Sequence, residues 1–147
     1  MTVQPANIVV NGIGVDLSGR FAFSNTVTGS PATNAATAVC TTPALSQNAA
    51  VTAGCVVCFN IAFTVGTSGT AVTYKIRQGA TAGSGTVVFN SGATTAGISA
   101  GNLVVENVVA VDSAPVLPGQ QYILEVTVTG GAATSTVSAA SGWALVI

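Results

Sequence analysis

Histidine is missing from this chain of 147 residues, and charge of either sign is scarce. Three Lys or Arg stand against four Asp or Glu, 5% of the sequence, where ordinary soluble domains carry about a quarter. Without an imidazole a Ser-His or Cys-His nucleophile is excluded, and a Ser-Lys pair would rest on Lys75 alone. A net charge of −1 with no basic stripe gains little from counterion release on DNA or RNA, so no nucleic-acid partner is expected. Long apolar runs are missing too. The longest, Cys55 to Val65, is interrupted by Asn60 and Thr64 and falls short of the ~20 residues that span a bilayer. The mean hydropathy of +0.68 comes from scattered Val and Ala, and no membrane partner is expected. The first ten residues, MTVQPANIVV, lack a basic segment followed by an apolar one, so no signal peptide is expected and synthesis is placed in the cytoplasm. No N-x-S/T sequon occurs.

Cys40, Cys55 and Cys58 are an odd number, which argues against a closed disulfide framework. Zinc asks for four ligands, and without His only the three thiols and a carboxylate could supply them. Positions i and i+3 of a strand also point to opposite faces, which separates Cys55 from Cys58. The thiols read as buried and inert, with a disulfide from Cys40 to Cys55 or Cys58 as the alternative; no metal and no cofactor are expected. The carboxylates are Asp16, Glu106, Asp112 and Glu125. A glycosidase needs two of these a few ångströms apart, and Glu106 could approach Glu125 only if their strands pair. The simpler reading pairs Glu125 or Glu106 with Lys75 or Arg77 across strands at an exposed site, worth about 0.2–1 kcal/mol. Asp112 beside Ser113 reads as a turn former and not as a calcium ligand. Asn11-Gly12-Ile13-Gly14 lacks the third glycine and the following helix of a dinucleotide loop. No catalytic residue is assigned, and the chain is not expected to be an enzyme.

What is present is strand after strand. In AVTYKIRQGATAGSGTVVF (71–89), Val72, Tyr74 and Ile76 alternate with Thr73, Lys75 and Arg77, and a glycine-rich centre reverses the chain, the pattern of a β-hairpin. CFNIAFTV (58–65) places Phe59, Ile61, Phe63 and Val65 on one face, which should be core. Phe21 and Phe23 share a face in GRFAFSNTV. LVVENVVAV (103–111) is apolar on both sides, as strands are inside sandwiches or at subunit interfaces. QQYILEVTVT (120–129) lines Tyr122, Leu124, Val126 and Val128 on one face, and the end of the chain does so with Trp143, Leu145 and Ile147. Short strands are expected within 35–42 and 48–53, and around 134–138. Helical periodicity is absent, and 147 residues suffice for a core without staples. The expected fold is all-β: an antiparallel two-sheet sandwich, a jelly roll, with an immunoglobulin-like sandwich as the alternative. Residues 1–18 would form an N-terminal arm or edge strand, and 19–147 one sandwich domain.

Three pieces, YKIRQG (74–79), DSAPVLPGQQYILEVTV (112–128) and SGWALVI (141–147), together resemble the C-terminal half of small jelly-roll domains of the tumour-necrosis-factor/C1q-like kind. They are similar also to β-sandwich decoration or cement proteins of tailed-phage capsids. Gly142, Trp143, Ala144 and Leu145 match the Gly-aromatic-aliphatic sequence common in the last strand of that fold. The resemblance covers about residues 71–147 and implies threefold homotrimers formed through an aromatic-lined sheet face.

A sparsely charged β surface has little repulsion to keep copies apart and presents strand edges that need covering. Low charge thus favours self-association, and the resemblance implies the role: the function expected is a virion structural protein, a capsid decoration or cement protein of a bacteriophage. It would sit on the outer capsid surface and contact itself and the major capsid protein lattice. Burial of Ile8, Val9, Val10 and Ile13 against a neighbour would supply adhesion, and Tyr74, Tyr122 and Trp143, at apparent core positions, complete the candidate interface residues. The alternative is a receptor- or carbohydrate-binding module, a spike or fibre tip, using loops 29–37 and 91–102. That reading asks for Tyr74 or Trp143 exposed beside a polar groove.

Overall fold

The computed structural model describes residues 7–10, 13–16, 19–31, 34–46, 54–66, 70–79, 81–130 and 135–147. Eleven strands form: β1 (Asn7–Val10), β2 (Ile13–Asp16), β3 (Phe21–Ser24), β4 (Thr37–Thr41), β5 (Cys55–Thr64), β6 (Thr70–Gln78), β7 (Val87–Asn90), β8 (Thr94–Ile98), β9 (Leu103–Asp112), β10 (Tyr122–Thr129) and β11 (Thr136–Val146). No helix occurs among the described residues. The segments that become strands are rich in Val, Thr, Ile and Phe, which fit a pleated surface, and glycines punctuate the connections. The expected strand at 48–53 lies outside the described residues, apart from the adjoining Gly54. The segments expected separately around 134–138 and 141–147 join into the single strand β11, with an irregularity between Val137 and Ala139.

Two sheets face each other. One has the order β4-β10-β6-β7, with β8 also pairing β6; the other has the order β3-β11-β5-β9. All pairings are antiparallel. This is the antiparallel two-sheet sandwich that the alternation predicts. From β3 to β6, and again from β8 to β11, each strand lies in the opposite sheet from the one before it. No neighbours in the four-strand sheet are therefore consecutive in sequence. An immunoglobulin-like sandwich keeps consecutive strands side by side in its ABED sheet, so that alternative is not the one formed. β1 and β2 pair only with each other, Asn7 opposite Asp16 through Val10 opposite Ile13.

The core is the meeting of two inward rows. β5 contributes Cys55, Val57, Phe59, Ile61 and Phe63; the other sheet contributes Val72, Tyr74 and Ile76 from β6 and Tyr122, Leu124, Val126 and Val128 from β10. Each fully buried apolar side chain contributes about 1.5–3 kcal/mol. Gly142 faces this core from β11, opposite Phe59. A Cβ there would lie 2.2 Å from Phe59 Cε1, so the ring takes the space that a side chain would fill. The glycine of the Gly-Trp pair is a packing requirement.

A candidate assembly face

The outer surface of the four-strand sheet is built from the opposite parity of the same strands. Register sets its side chains in cross-strand rows, the unit of sheet packing. Phe21, Leu145, Val56 and Val111 form one row, and Phe23, Trp143, Cys58 and Val109 the next. Ser141, Asn60 and Asn107 follow, then Ala139, Ala62 and Val105, then Thr136, Thr64 and Leu103. No charged residue lies in any row. Phe21 is 47% and Phe23 52% exposed, and along β9 Leu103, Val105, Val109 and Val111 are 50–69% exposed. Trp143 is half-buried and its ring centroid lies 6.4 Å from that of Phe21. In the polar row Asn107 Nδ2 donates to Asn60 Oδ1 at 2.6 Å and lies 3.5 Å from Cys58 Sγ. Beside this row is a depression of about 390 Å³ lined by Asn25, Val27, Asn60, Ala62, Val105 and Ser141.

Several candidate residues lie elsewhere than the alternation suggested. Trp143 is not in the core: Ala140, Gly142, Ala144 and Val146 take the inward parity of β11, which turns Trp143 outward with Leu145. Tyr122 is completely buried and Tyr74 is 5% exposed, so neither offers surface to a partner. β9 is not covered on both faces, because it is the edge strand of its sheet and its odd-numbered row is bare. Ile8, Val9, Val10 and Ile13 fall on the β1–β2 pair, whose side chains lie outside the described residues. The exposed row of Phe21, Phe23 and the β9 valines was missed as a unit. Its one sequence signal is the apolar character of both parities of LVVENVVAV.

The acids are dispersed. Glu106 and Glu125 do not approach through strand pairing, since β9 and β10 belong to different sheets. A second depression of about 390 Å³, between Tyr74, Phe89 and Ser91 of one sheet and Glu106 and Val108 of the other, holds one carboxylate. Glu125 does pair with Arg77, but Glu125 is 1% exposed, so the exposed pair expected from the sequence is a buried one. The β6–β7 connection causes this by folding over the outer side of the five-strand sheet. Gly83 N donates to Glu125 Oε1 at 2.8 Å and Arg77 Nη1 donates to the Gly85 carbonyl at 3.1 Å. Gly85 has φ +79° and a Cβ there would lie 1.8 Å from the Gln78 carbonyl oxygen, so glycine is required.

Asp112 closes a turn, as expected, with Oδ1 accepting from Ala114 N at 3.0 Å. It is also buried, and Oδ2 accepts from the Tyr122 hydroxyl at 2.8 Å and from Gln78 Nε2 at 2.5 Å. One carboxylate thus ties β9 to β10 and β6. Burial first, then the bond to Asp112, pushes the Tyr122 phenol far up; burial first, then the Glu106 charge, does the same to Tyr74. Cys40, Cys55 and Cys58 are free and buried. Burial raises the Cys40 and Cys55 thiols above their ordinary range, which holds them in the unreactive protonated form. Among the described residues no group of three or more Cys, Asp or Glu could hold a metal ion.

No family model matches the sequence, and no curated protein matches it. Among solved structures the chain is similar to the infectious bursal disease virus VP2 subviral particle, at 16% identity and TM-score 0.52, covering 97% of this chain and 38% of that one. T=1 particles derived from the same virus match at 12% identity and TM-score 0.55, covering 97% and 36%. The Gt strain matches at 13% and 0.54, covering 97% and 38%. The chain spans little more than a third of the length of these proteins. What it shares with them, across nearly its whole described sandwich, is a fold.

Proposed function

We propose that this chain is a structural virion protein that assembles with copies of itself, most concretely a decoration or cement protein of a tailed-phage capsid. It works by burying surface and carries out no reaction. The observation that supports this best is the outer face of β3-β11-β5-β9, whose cross-strand rows contain no charge and end in exposed Phe21 and Phe23 beside Trp143. Bare apolar patches beyond about 400 Å² mark interaction sites on soluble proteins. The alternation of strands between sheets supports the jelly-roll reading, and the likeness in fold to virus particle chains agrees with this role. The aromatic end of the face is the contact for a threefold homotrimer. A two-stranded hairpin alone is marginal in water, so the β1–β2 arm seats on a neighbouring subunit through Ile8, Val9, Val10 and Ile13. The major capsid protein lattice is the second partner, and the virion surface the location.

The ligand-binding alternative asks for an aromatic beside a polar groove, whereas Tyr74 is buried and Trp143 stacks near Phe21 among apolar neighbours. Light scattering on a sizing column through a dilution series tests the proposal. The wild type is expected as a multiple of three 14.3 kDa chains that binds undecorated capsids, and Phe23→Asp is expected to abolish the threefold contact. A strict monomer at high concentration that leaves capsids unbound would overturn it.

A further inference from the structure

We infer that β9 is a two-fold seam: its free edge pairs antiparallel with the same edge of a second copy, centred on Asn107, to join two four-strand sheets into one of eight. The inference needs only a second copy of this chain and does not depend on the trimer or on a capsid.

The argument begins with how unlike the other edges β9 is. β3 has four residues, and β4 has five with a register shift against β10. β7 and β8, four and five residues long, divide one edge of β6 between them, each with a shift in its pairing. These are short or broken edges, the ordinary defences against edge-to-edge association. β9 runs ten residues in unbroken register with β5, with no proline, no lysine and two acids, the exposed Glu106 and, at its last position, the buried Asp112. Among the described residues no strand pairs its other side. An edge this long and apolar is a template for another strand.

The sequence of β9 then selects the occupant. Its outward row reads Leu103, Val105, Asn107, Val109, Val111, which is palindromic in character about Asn107. A two-fold axis through Asn107, normal to the sheet, keeps outward residues on one side. It sets Val105 opposite Val109 and Leu103 opposite Val111 of the second copy, so apolar meets apolar along the seam. The two Asn107 side chains meet on the axis. Each Nδ2 donates one proton to Asn60, and its second, turned from the long contact with Cys58 Sγ, can be donated to Oδ1 of the other copy, so the polar row runs unbroken through both copies. Centring on residue 106 instead would put two Glu106 carboxylates face to face, and centring on 108 would set Asn107 against Val109. Of these, only the Asn107 register matches like with like along the outward row. β3, with the aromatic residues, lies three strand spacings away, roughly 14–15 Å, so a threefold contact there and a two-fold seam here can coexist. A subunit with both contacts closes into a shell or extends as a net.

Cysteine crosslinking tests the register. Asn107→Cys is made in a Cys58→Ala background, because Cys58 Sγ lies close enough to Asn107 to capture the new thiol. The remaining Cys40 and Cys55 are buried and add no background. Mild oxidation should give a covalent dimer at least ten times faster for Asn107→Cys than for Val105→Cys, whose two copies would lie four residues apart along the seam. Independently, Val105→Lys with Val109→Lys changes two exposed side chains and places four like charges on the seam, which should lower the assembly mass by light scattering at least two-fold. Crosslinking at 107 no faster than at 105, or an unchanged mass for the double lysine variant, overturns the seam. Phe23→Asp reports separately on the threefold contact, so loss of one contact is distinguishable from loss of the other.

Discussion

Raising the pH should unfold this protein from within, through groups that ordinarily escape notice. Tyr74 and Tyr122 are the chain's only tyrosines, both are buried, and both phenols are pushed far above their ordinary value of 10.0 by burial and by the nearby acids. Below pH 10 each is neutral in the folded and unfolded chain alike, and its contribution is whole. Above pH 10 the unfolded chain releases protons that the folded chain keeps, so the folded state binds more protons and stability falls as pH rises. Each phenol costs about 1.4 kcal/mol per pH unit, and the pair about 3 kcal/mol per unit. The raised thiols of Cys40 and Cys55 act in the same sense from pH 9 upward. Against a usual reserve of about 5–15 kcal/mol, about two to three units above pH 10 remove roughly 6–9 kcal/mol and unfold a chain whose reserve lies in the lower half of that range. The assay is tyrosinate absorbance at 295 nm followed with far-ultraviolet circular dichroism. The two signals should move together, in a transition steeper than a one-proton curve. Phenols that titrate singly near pH 10 while the β signal holds would refute the reasoning. Tyr122→Phe should flatten the alkaline slope by one phenol's share.

Glu125→Ala leaves the partly buried Arg77 without its counter-ion and Gly83 N without its acceptor, and should cost about 2–4 kcal/mol as a lower urea midpoint at constant m-value; a loss under about 1 kcal/mol would mean that the pair behaves as a surface one. Gly142→Ala drives a methyl into the Phe59 ring and should cost about 1–3 kcal/mol, with Phe59→Leu in the same chain restoring part of it. The three thiols should resist Ellman's reagent in the native protein at pH 8 and react together in urea, and fast labelling of even one in the folded state would contradict its burial.

The strands that the alternation described well are those with one clean apolar face. β5, β6 and β10 bury the rows read from the sequence, because a polar partner at every second position leaves a single parity for the core. Where both parities are apolar the pattern is silent. LVVENVVAV gives no sign of which side meets the other sheet, nor that the strand lies at an edge, since edge position is set by pairing with β5, whose residues are distant in sequence, from Thr64 opposite Leu103 to Cys55 opposite Asp112. Trp143 was assigned to the wrong face for the same reason: Ala140, Gly142 and Ala144 look too small to be the buried row, and only the Phe59 ring explains why they are. Glu125 had the right parity and the wrong exposure, because the cover comes from the β6–β7 connection folding back, a tertiary event that strand periodicity does not encode. The Asp112 turn was legible locally, whereas its bonds to Tyr122 and Gln78 join three strands from two sheets.

The order in which strands are made differs from the order in which they lie. β10 sits between β4 and β6, and β11 between β3 and β5, so the two described strands that come latest in chain order occupy central positions in both sheets. Until they arrive, β4 and β6 have no common partner and neither have β3 and β5, and a growing chain offers its apolar rows to whatever is near. Loop closure over such separations is slow. Folding is therefore an all-or-none event that waits for the final strands, and in a cell making many copies at once it competes with strand exchange between neighbouring chains. The low charge that leaves finished copies little mutual repulsion gives unfinished ones no protection either.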